Sequence, residues 1–451
     1  MDGLSSLLRR DPAWPGGRPV WSRLRRVAGL GTATLAAMAM VSGFTSVASA
    51  AGRAPAARVA WSRAAGIRLP ANAGADPDAS LYGAACTSGG ACLAGGAYQD
   101  SSANDQSMVV AEAHGRWGRA RELRLPPDAT AQPYSEVNSV ACTSARSCVA
   151  VGYYQFSTLE DHGFIATESG GRWARARAPR LPRNADTSLG SGLQGVACTG
   201  PGSCVAIGTY TDQARHFQPM AVTEVHGRWR RATELTMPAN AAANPATFLI
   251  GLACPRRGYC VATGSYNVSS GADEGLGLTE SRGRWRRGAE IKAPSNANGQ
   301  DANVDSVSCA TAGACEAIGH YEIRPGQYGA IAVTESNGSW GRSRLIADLP
   351  PGAAKGSSPA VDAIACSTGA PCVAVGGYGP AGANFLAMAV TRSRGTRRDA
   401  TRIRLPAHAG TGALGKAFLY SVACWAAGHC FAVGYYQDSS AHLVPMAAAS
   451  S

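Results

Sequence analysis

From Cys148 the chain reads CVAVGYYQ, in which small and apolar side chains alternate with period two. Cys148, Ala150, Gly152 and Tyr154 share one face of such a strand, and Val149, Val151 and Tyr153 share the other. Neither face is polar, so the strand is expected to be covered on both sides. The same pattern, C-x-A-x-G-x-Y, occurs seven times and ends at Tyr98, Tyr154, Tyr210, Tyr266, Tyr321, Tyr378 and Tyr436. Its small face lets a neighbouring sheet approach closely, and its Val face supplies the complementary bulk. Short strands buried on both faces and repeated along a chain imply a stack of small sheets.

Each repeat carries three more strand patterns. A strand a, as in EVNSVAC, ends at a first cysteine, and the CVAVGYY strand, b, starts at a second one. Strand c is an apolar run such as FIATES or MAVTEV, and strand d follows the pattern RWARARAPRLP. Turn-forming stretches (TSGG, TGPG and PRRG between a and b; SGG, VHG and SNG between c and d) separate them. First cysteines recur every 55 to 58 residues, so each repeat holds four strands.

The ends of the chain do not match the repeat. RVAWSRAAGIRLP, from Arg58 to Pro70, is a strand d with no a, b or c before it. VPMAAASS at the C-terminus is a strand c with no d after it. Trp61 to Pro70 keeps the spacing of Trp117 to Pro126, Trp173 to Pro182, Trp229 to Pro238 and Trp285 to Pro294. In blades 5 and 6 the pattern drifts: Trp340 to Pro350 is one residue longer, and Arg397 replaces the Trp before Pro406. An orphan strand at one end and a gap at the other fit a closed ring with no open sheet edge. An open solenoid needs caps at both ends instead. The expected fold is all-β, a seven-bladed propeller of four-stranded blades closed by pairing the N-terminal strand with the C-terminal blade. It spans 58–451, with the seventh blade built from about 413–451 plus 58–70.

The fourteen cysteines form seven C-x5-C pairs: Cys86/Cys92, Cys142/Cys148, Cys198/Cys204, Cys254/Cys260, Cys309/Cys315, Cys366/Cys372 and Cys424/Cys430. In an exported chain these read as hairpin disulfides, each contributing roughly 2 kcal/mol in the chain-entropy model. The spacing is not that of a zinc site, and no histidine accompanies the pairs, so no metal is expected. Export is implied by residues 1–50, where Arg23, Arg25 and Arg26 precede the apolar run VAGLGTATLAAMAMVSGF and the small-residue site ASA. Cleavage after Ala50 leaves a short linker, 51–57, and no retained membrane span. Arg25–Arg26 keeps both general and twin-arginine export open. Six arginines and two aspartates lie in 1–50, so the net charge of +12 falls to +8 beyond it. That charge is spread along the chain, unlike the basic stripe of a nucleic-acid binder.

Two resemblances follow from these residues. TESGGRW, TESRGRW, TESNGSW and TEVHGRW resemble a degenerate Asp-box, the turn between third and fourth strands of sialidase-like propellers, with Ser169, Ser281 and Ser336 where the Asp belongs. The Asp-box is a structural turn, so this resemblance implies fold and not catalysis. The whole repeat, SVACTSARSCVAVGYY, resembles tandem repeats of uncharacterised secreted actinobacterial proteins.

Propeller geometry puts the a–b and c–d turns on one face, and the longer, varied b–c loops and d–a connectors on the other. Variation on a fixed scaffold is where recognition is installed. Four residues before each first cysteine, strand a carries a variable column: Tyr82, Asn138, Gln194, Ile250, Asp305, Asp362 and Tyr420. Strand a lines the axis of a propeller, so the column is expected to face the channel. Its polar and aromatic members, Tyr82, Asn138, Gln194, Asp305, Asp362 and Tyr420, are the candidate ligand-binding residues. Asp305 and Asp362, from adjacent blades, are placed to share a cation or act as an acid/base pair. Arg119, Arg121, Arg175, Arg230 and Arg231 of strand d are read as blunting an outer sheet edge. No G-x-S-x-G, H-E-x-x-H, P-loop or calcium-loop motif is present, and neither catalytic residue nor cofactor is assigned. The expectation is a secreted, monomeric binding module for a glycan, a cell-envelope polymer or a protein. The alternatives are a carbohydrate-active hydrolase or lyase of sialidase-like architecture and a structural surface-display protein.

Overall fold

The computed structural model describes residues 59–451, apart from 158–159, 298–301, 325–326, 347, 369–370, 381–384, 393–397 and 413–414. The expected leader and linker, with Arg58, therefore lie outside the described residues. Seven antiparallel sheets, each with the order a-b-c-d, follow one another along the chain. Blade 1 is Ser80–Cys86, Cys92–Gln99 and Asp105–Ala113, with the fourth strand in two pieces, Arg116–Trp117 and Arg121–Glu122. The strands a of blades 2 to 7 are Ser135–Ser144, Ser191–Gly200, Phe248–Arg256, Ala302–Thr311, Ser357–Ala365 and Ala417–Ala426. Apolar wedges fill the spaces between neighbouring blades; Leu93, Val137, Ala150 and Phe164, for example, join blades 1 and 2. This is a seven-bladed β-propeller.

The glycine of C-x-A-x-G-x-Y has a different purpose from the one its small size implies. Strand a carries a β-bulge in every blade, so that two of its residues oppose this one glycine of strand b. In blade 1, Leu81 and Gly83 pair with Gly96 and Gly95, and Tyr82 is the extra residue. A Cβ on Gly96 would lie 1.9 Å from the Ser80 carbonyl oxygen, and one on Gly152 would lie 1.8 Å from that of Glu136. Gly208, Gly264, Gly319, Gly376 and Gly434 are crowded by their own strand a in the same way, at 1.9 to 2.0 Å. The glycine thus admits the bulge inside its own blade and is not there for the approach of the next sheet. Contact between blades near the axis falls to the residue after the bulge. A Cβ on Gly83 would lie 2.8 Å from Cα of Ser139, and Ser139, Ser306 and Ser421 accept the N–H of Val196, Ile364 and Ala84 in the next blade at 3.1 to 3.2 Å.

Ring closure is as the strand count requires. Ala65–Gly66 pairs with Leu443–Ala449, matching Ala65 to Ala447 and Gly66 to Met446, and Trp61 bridges to Ser450. The chain ends thus complete blade 7, with Trp61 buried in the core between blades 6 and 7.

Except in blade 6, where Arg398–Arg402 runs unbroken, strand d is interrupted where a continuous strand was expected. Its middle residue turns away from the sheet to bond the blade before it: Ala120 N–H to Arg68 O at 2.8 Å, Ala176 to Arg124 at 2.8 Å and Ala232 to Arg180 at 2.7 Å. Beside each such bond an arginine guanidinium reaches the next carbonyl: Arg119 to Leu69 at 2.9 Å, Arg175 to Leu125 at 3.3 Å and Arg231 to Leu181 at 2.7 Å. Three of the arginines read as edge-blunting are therefore clasps between blades, while Arg121 and Arg230 are exposed. The seam repeats the arrangement, with Ala64 N–H on Arg404 O at 2.8 Å and Arg63 on Leu405 O at 3.0 Å.

All seven C-x5-C pairs are disulfides: Cys86–Cys92, Cys142–Cys148, Cys198–Cys204, Cys254–Cys260, Cys309–Cys315, Cys366–Cys372 and Cys424–Cys430. Their Cα separations are 3.9 to 4.2 Å. Their setting adds to their role as hairpin cross-links. The second cysteine is buried at Cys92, Cys148, Cys204, Cys260, Cys315 and Cys430, and half-buried at Cys372. It opens strand b, whose two faces are both covered, so its sulfur joins the wedge between blades. Cys204 packs in one cluster with Val222, Cys260 with Leu278, Cys315 with Val333 and Cys430 with Ala448. These four are core residues as well as cross-links, and as disulfides they offer no thiolate to a ligand.

Gly152→Ala is expected to destabilise the protein by about 2–3 kcal/mol, because the bulge carbonyl has nowhere to retreat; urea unfolding measures this. Truncating Trp61 to Ala should cost roughly 3 kcal/mol despite its place outside every complete repeat. Melting indistinguishable from the parent would contradict the closed seam.

Candidate functional site

The bulge decides what faces the axis. The extra residue of each strand a is the variable column, and Tyr82, Asn138, Gln194, Ile250, Asp305, Asp362 and Tyr420 together line one axial cavity of about 150 Å³. Read from blade 1 to blade 7, the column is aromatic, amide, amide, aliphatic, acid, acid, aromatic. Closure of the ring makes the two aromatics neighbours, with ring centroids of Tyr82 and Tyr420 5.3 Å apart. Asn138 Nδ2 donates to the Leu193 carbonyl at 3.0 Å, whereas Gln194 Oε1 is buried without a partner among the described residues. Asp305 and Asp362 both line the cavity, and Asp305 takes His320 as its close partner, Oδ2 to Nδ1 at 2.7 Å.

His320 exposes a second variable position missed in the sequence. It lies just before the repeated Tyr of strand b and reads Ala97, Tyr153, Thr209, Ser265, His320, Gly377, Tyr435. Each of these pairs in register with the strand-a residue two before the bulge: Glu136 with Tyr153, Asn303 with His320, Phe418 with Tyr435. The signal was present, since Val recurs at the other alternating positions of strand b and never at this one. In blade 7 the two positions extend the aromatic sector, with Phe418 5.2 Å and Tyr435 5.7 Å from Tyr420.

In blade 2 the same positions, with Asp161 of strand c, build a buried acidic cluster. Glu136, Asp161 and Tyr153 are buried, and the Tyr153 ring stacks on Tyr134 at 5.8 Å. Burial, then the charges of Glu136 and Glu160, pushes the Asp161 carboxyl up to about 7. Burial also raises the Tyr153 phenol, with Glu136 next in effect.

Much of the remaining variation is structural. Asp100 and Asp438 tie their b–c loops by accepting two backbone N–H groups each, Ser102 and Asn104, then Ser440 and His442, at 2.8 to 3.0 Å. The repeated tyrosines pin the d–a connectors: Tyr98 donates to Asn72 and Glu122 at 2.9 Å, and Tyr210 to Asn184 at 3.0 Å and Glu234 at 2.6 Å. On the opposite face, the acid of the Asp-box-like turn lies before the serines. Gly115 N–H donates to Glu112 at 2.5 Å, and Gly338 N–H donates to Glu335. Among the described residues, the one group of three metal-ligating side chains is Glu316 with Cys366 and Cys372, whose sulfurs are tied in a disulfide and are no thiolate ligands.

No family model matches the chain, and no curated protein matches it. Among solved structures, the chain is similar to a protein of unknown function from Dyadobacter fermentans at 9% identity and TM-score 0.48, over 87% of this chain and 98% of that one. It is similar to an ulvan lyase of a new polysaccharide lyase family at 7% identity and TM-score 0.49, over 85% and 95%. A Hadza microbial sialidase aligns at 12% identity and TM-score 0.43, over 72% and 66%. Likeness at this level carries no argument about activity.

Between about pH 4 and pH 7 the folded chain holds a proton on Asp161 that the unfolded chain has released. Stability from this group therefore falls as pH rises through that window, and the loss is complete above about 7. Asp161→Asn should flatten this part of the profile and raise stability at pH 8 by on the order of 2–4 kcal/mol, read from urea unfolding at pH 5 and pH 8.

Proposed function

We propose that the axial end bearing the varied loops binds a carbohydrate, as the recognition surface of an extracellular module. The observation that carries this reading is the chemistry round the cavity: Tyr82 and Tyr420 line it as an aromatic pair, backed by Phe418 and Tyr435, and Asp362 and Asp305, the latter held by His320, line it from the blades before. A sugar has apolar ring faces and a rim of hydroxyl groups, so it needs aromatic surface beside hydrogen-bonding groups, held rigidly. Seven disulfides fit an oxidising, extracellular setting, and no helix among the described residues is long and apolar enough to cross a membrane. An envelope polymer supplies the same chemistry in extended form; a protein partner is the reading to adopt if no glycan binds.

A hydrolase is favoured by one observation, the buried acidic cluster of blade 2. Asp161 retains a proton near neutrality beside Glu136, the condition for one carboxyl to donate a proton while the other stays ionised.

Screening the protein against glycans and envelope polymers, with both binding and reducing-end release recorded, separates the readings. Binding that falls at least about tenfold in Tyr420→Ala, a loss of about 1.4 kcal/mol, and proceeds without product supports the module. Product release abolished by Asp161→Asn identifies the enzyme, and silence on every polymer removes the carbohydrate reading.

A further inference from the structure

The repeat places a glutamate at the end of strand c, and its surroundings differ between blades. In blades 1 and 5 the carboxylate caps the c–d turn, with the N–H of Gly115 on Glu112 and of Gly338 on Glu335. In blades 3 and 4 that glycine bonds elsewhere: Gly227 N–H goes to the Gly202 carbonyl at 3.0 Å, and Gly283 N–H to the Gly258 carbonyl at 3.1 Å. Glu224 and Glu280 are then left 4% and 6% exposed, and Glu280 Oε2 is buried without a hydrogen-bond partner among the described residues. Blade 2 also sends its glycine to an a–b turn, Gly171 to Arg146 O at 3.2 Å, but Arg121 and Arg146 offset the charge of its Glu168. For Glu224 and Glu280 nothing but burial acts, and it raises both. A buried acceptor without a donor is costly, so Glu280, with the buried Glu224 of the adjacent blade beside the same cavity, calls for a ligand.

Both carboxyl groups line one cavity of about 250 Å³ between blades 3 and 4, on the face opposite the varied loops. Thr199 and Ser203 line it too, and Arg257 is an exposed lining residue. We propose that this pocket binds a small organic cation, a ligand bearing a primary ammonium group. Such a group brings three N–H donors and a positive charge to these buried acceptors. A bare metal ion fits less well, because no three metal-ligating atoms there approach within 4.8 Å of one another among the described residues. The guanidinium of Arg257 disfavours a second positive charge on the ligand, so the class is a monoamine, with a neutral or anionic far end. The pocket is independent of the axial site, and either reading can fail without the other.

Calorimetric titration of the disulfide-intact protein at pH 7.5 with n-butylammonium, butyrate and calcium chloride tests this. One saturable site for n-butylammonium is expected, weakened at least tenfold in Glu280→Gln and unchanged in Glu112→Gln, which caps its own turn. Binding should also weaken as the pH is lowered and the two carboxyl groups take up protons. If Glu280→Gln does not fold, Glu224→Gln serves the same comparison, and the pH series on the parent protein stands without either. No saturable heat up to about 10 mM, equal binding of butyrate, a response to calcium alone, or full affinity in the folded Glu→Gln variant would each overturn the proposal.

Discussion

The architecture depends on one steric fact: strand b has no side chain where strand a bulges over it. At seven equivalent positions the glycine of strand b lies so close beneath a strand-a carbonyl that no Cβ fits. The bulge inserts one residue that has no partner in the ladder, which bends the strand and re-aims a side chain. That residue is the one lining the axis. A repeat without the glycine would keep its hairpin and its disulfide, yet lose the residue through which blades differ. Tight sequence repetition and chemical variety thus meet at adjacent positions, glycine on one strand and a free choice on the other.

Blades are joined at two radii by different means. Near the axis, small residues after the bulge allow backbone contact, or as serines accept the next blade's N–H. At the rim, the broken strand d lends an N–H and an arginine to the carbonyls of the previous blade. Between them lie the apolar wedges, which supply most of the driving force. Polar bonds at both radii fix how far each blade rotates against its neighbour, something non-directional apolar packing does not specify.

The ring, its strand order and its closure were legible because they follow from counting: seven cysteine pairs, an unmatched strand at each end, and a Trp-to-Pro spacing that Trp61–Pro70 shares with four later copies. The disulfides were legible for the same reason, although pairing alone did not show that Cys204, Cys260, Cys315 and Cys430 would be core residues. The axial column was found from its variability, but its cause was not: the bulge marks strand a only as a break in period two, with Val137 and Val140 three residues apart, and that break was not read as an inserted residue. The role of Arg119, Arg175 and Arg231 was missed because a charged outer strand looks alike whether its arginines face water or a neighbouring carbonyl. His320, Tyr153 and Glu136 were passed over as alternating positions of buried strands. Their meeting depends on cross-strand register, which spacing within one strand does not reveal.

The seam has a consequence for how the molecule comes to exist. Ser62 Oγ accepts the N–H of Ala449, 387 residues away. The first strand to emerge during synthesis meets blade 1 through the Arg68 and Leu69 carbonyls, but it has no partner within its own sheet until nearly the whole chain has followed it. Inner blades can form from neighbours in sequence, but the seventh waits for both ends, and long-range pairing of this kind is slow to form. Until then Trp61 is an exposed aromatic on a loose segment. The ring is the last thing to be made, so an interrupted chain yields a line of blades with two raw edges, and only a finished one yields a closed surface.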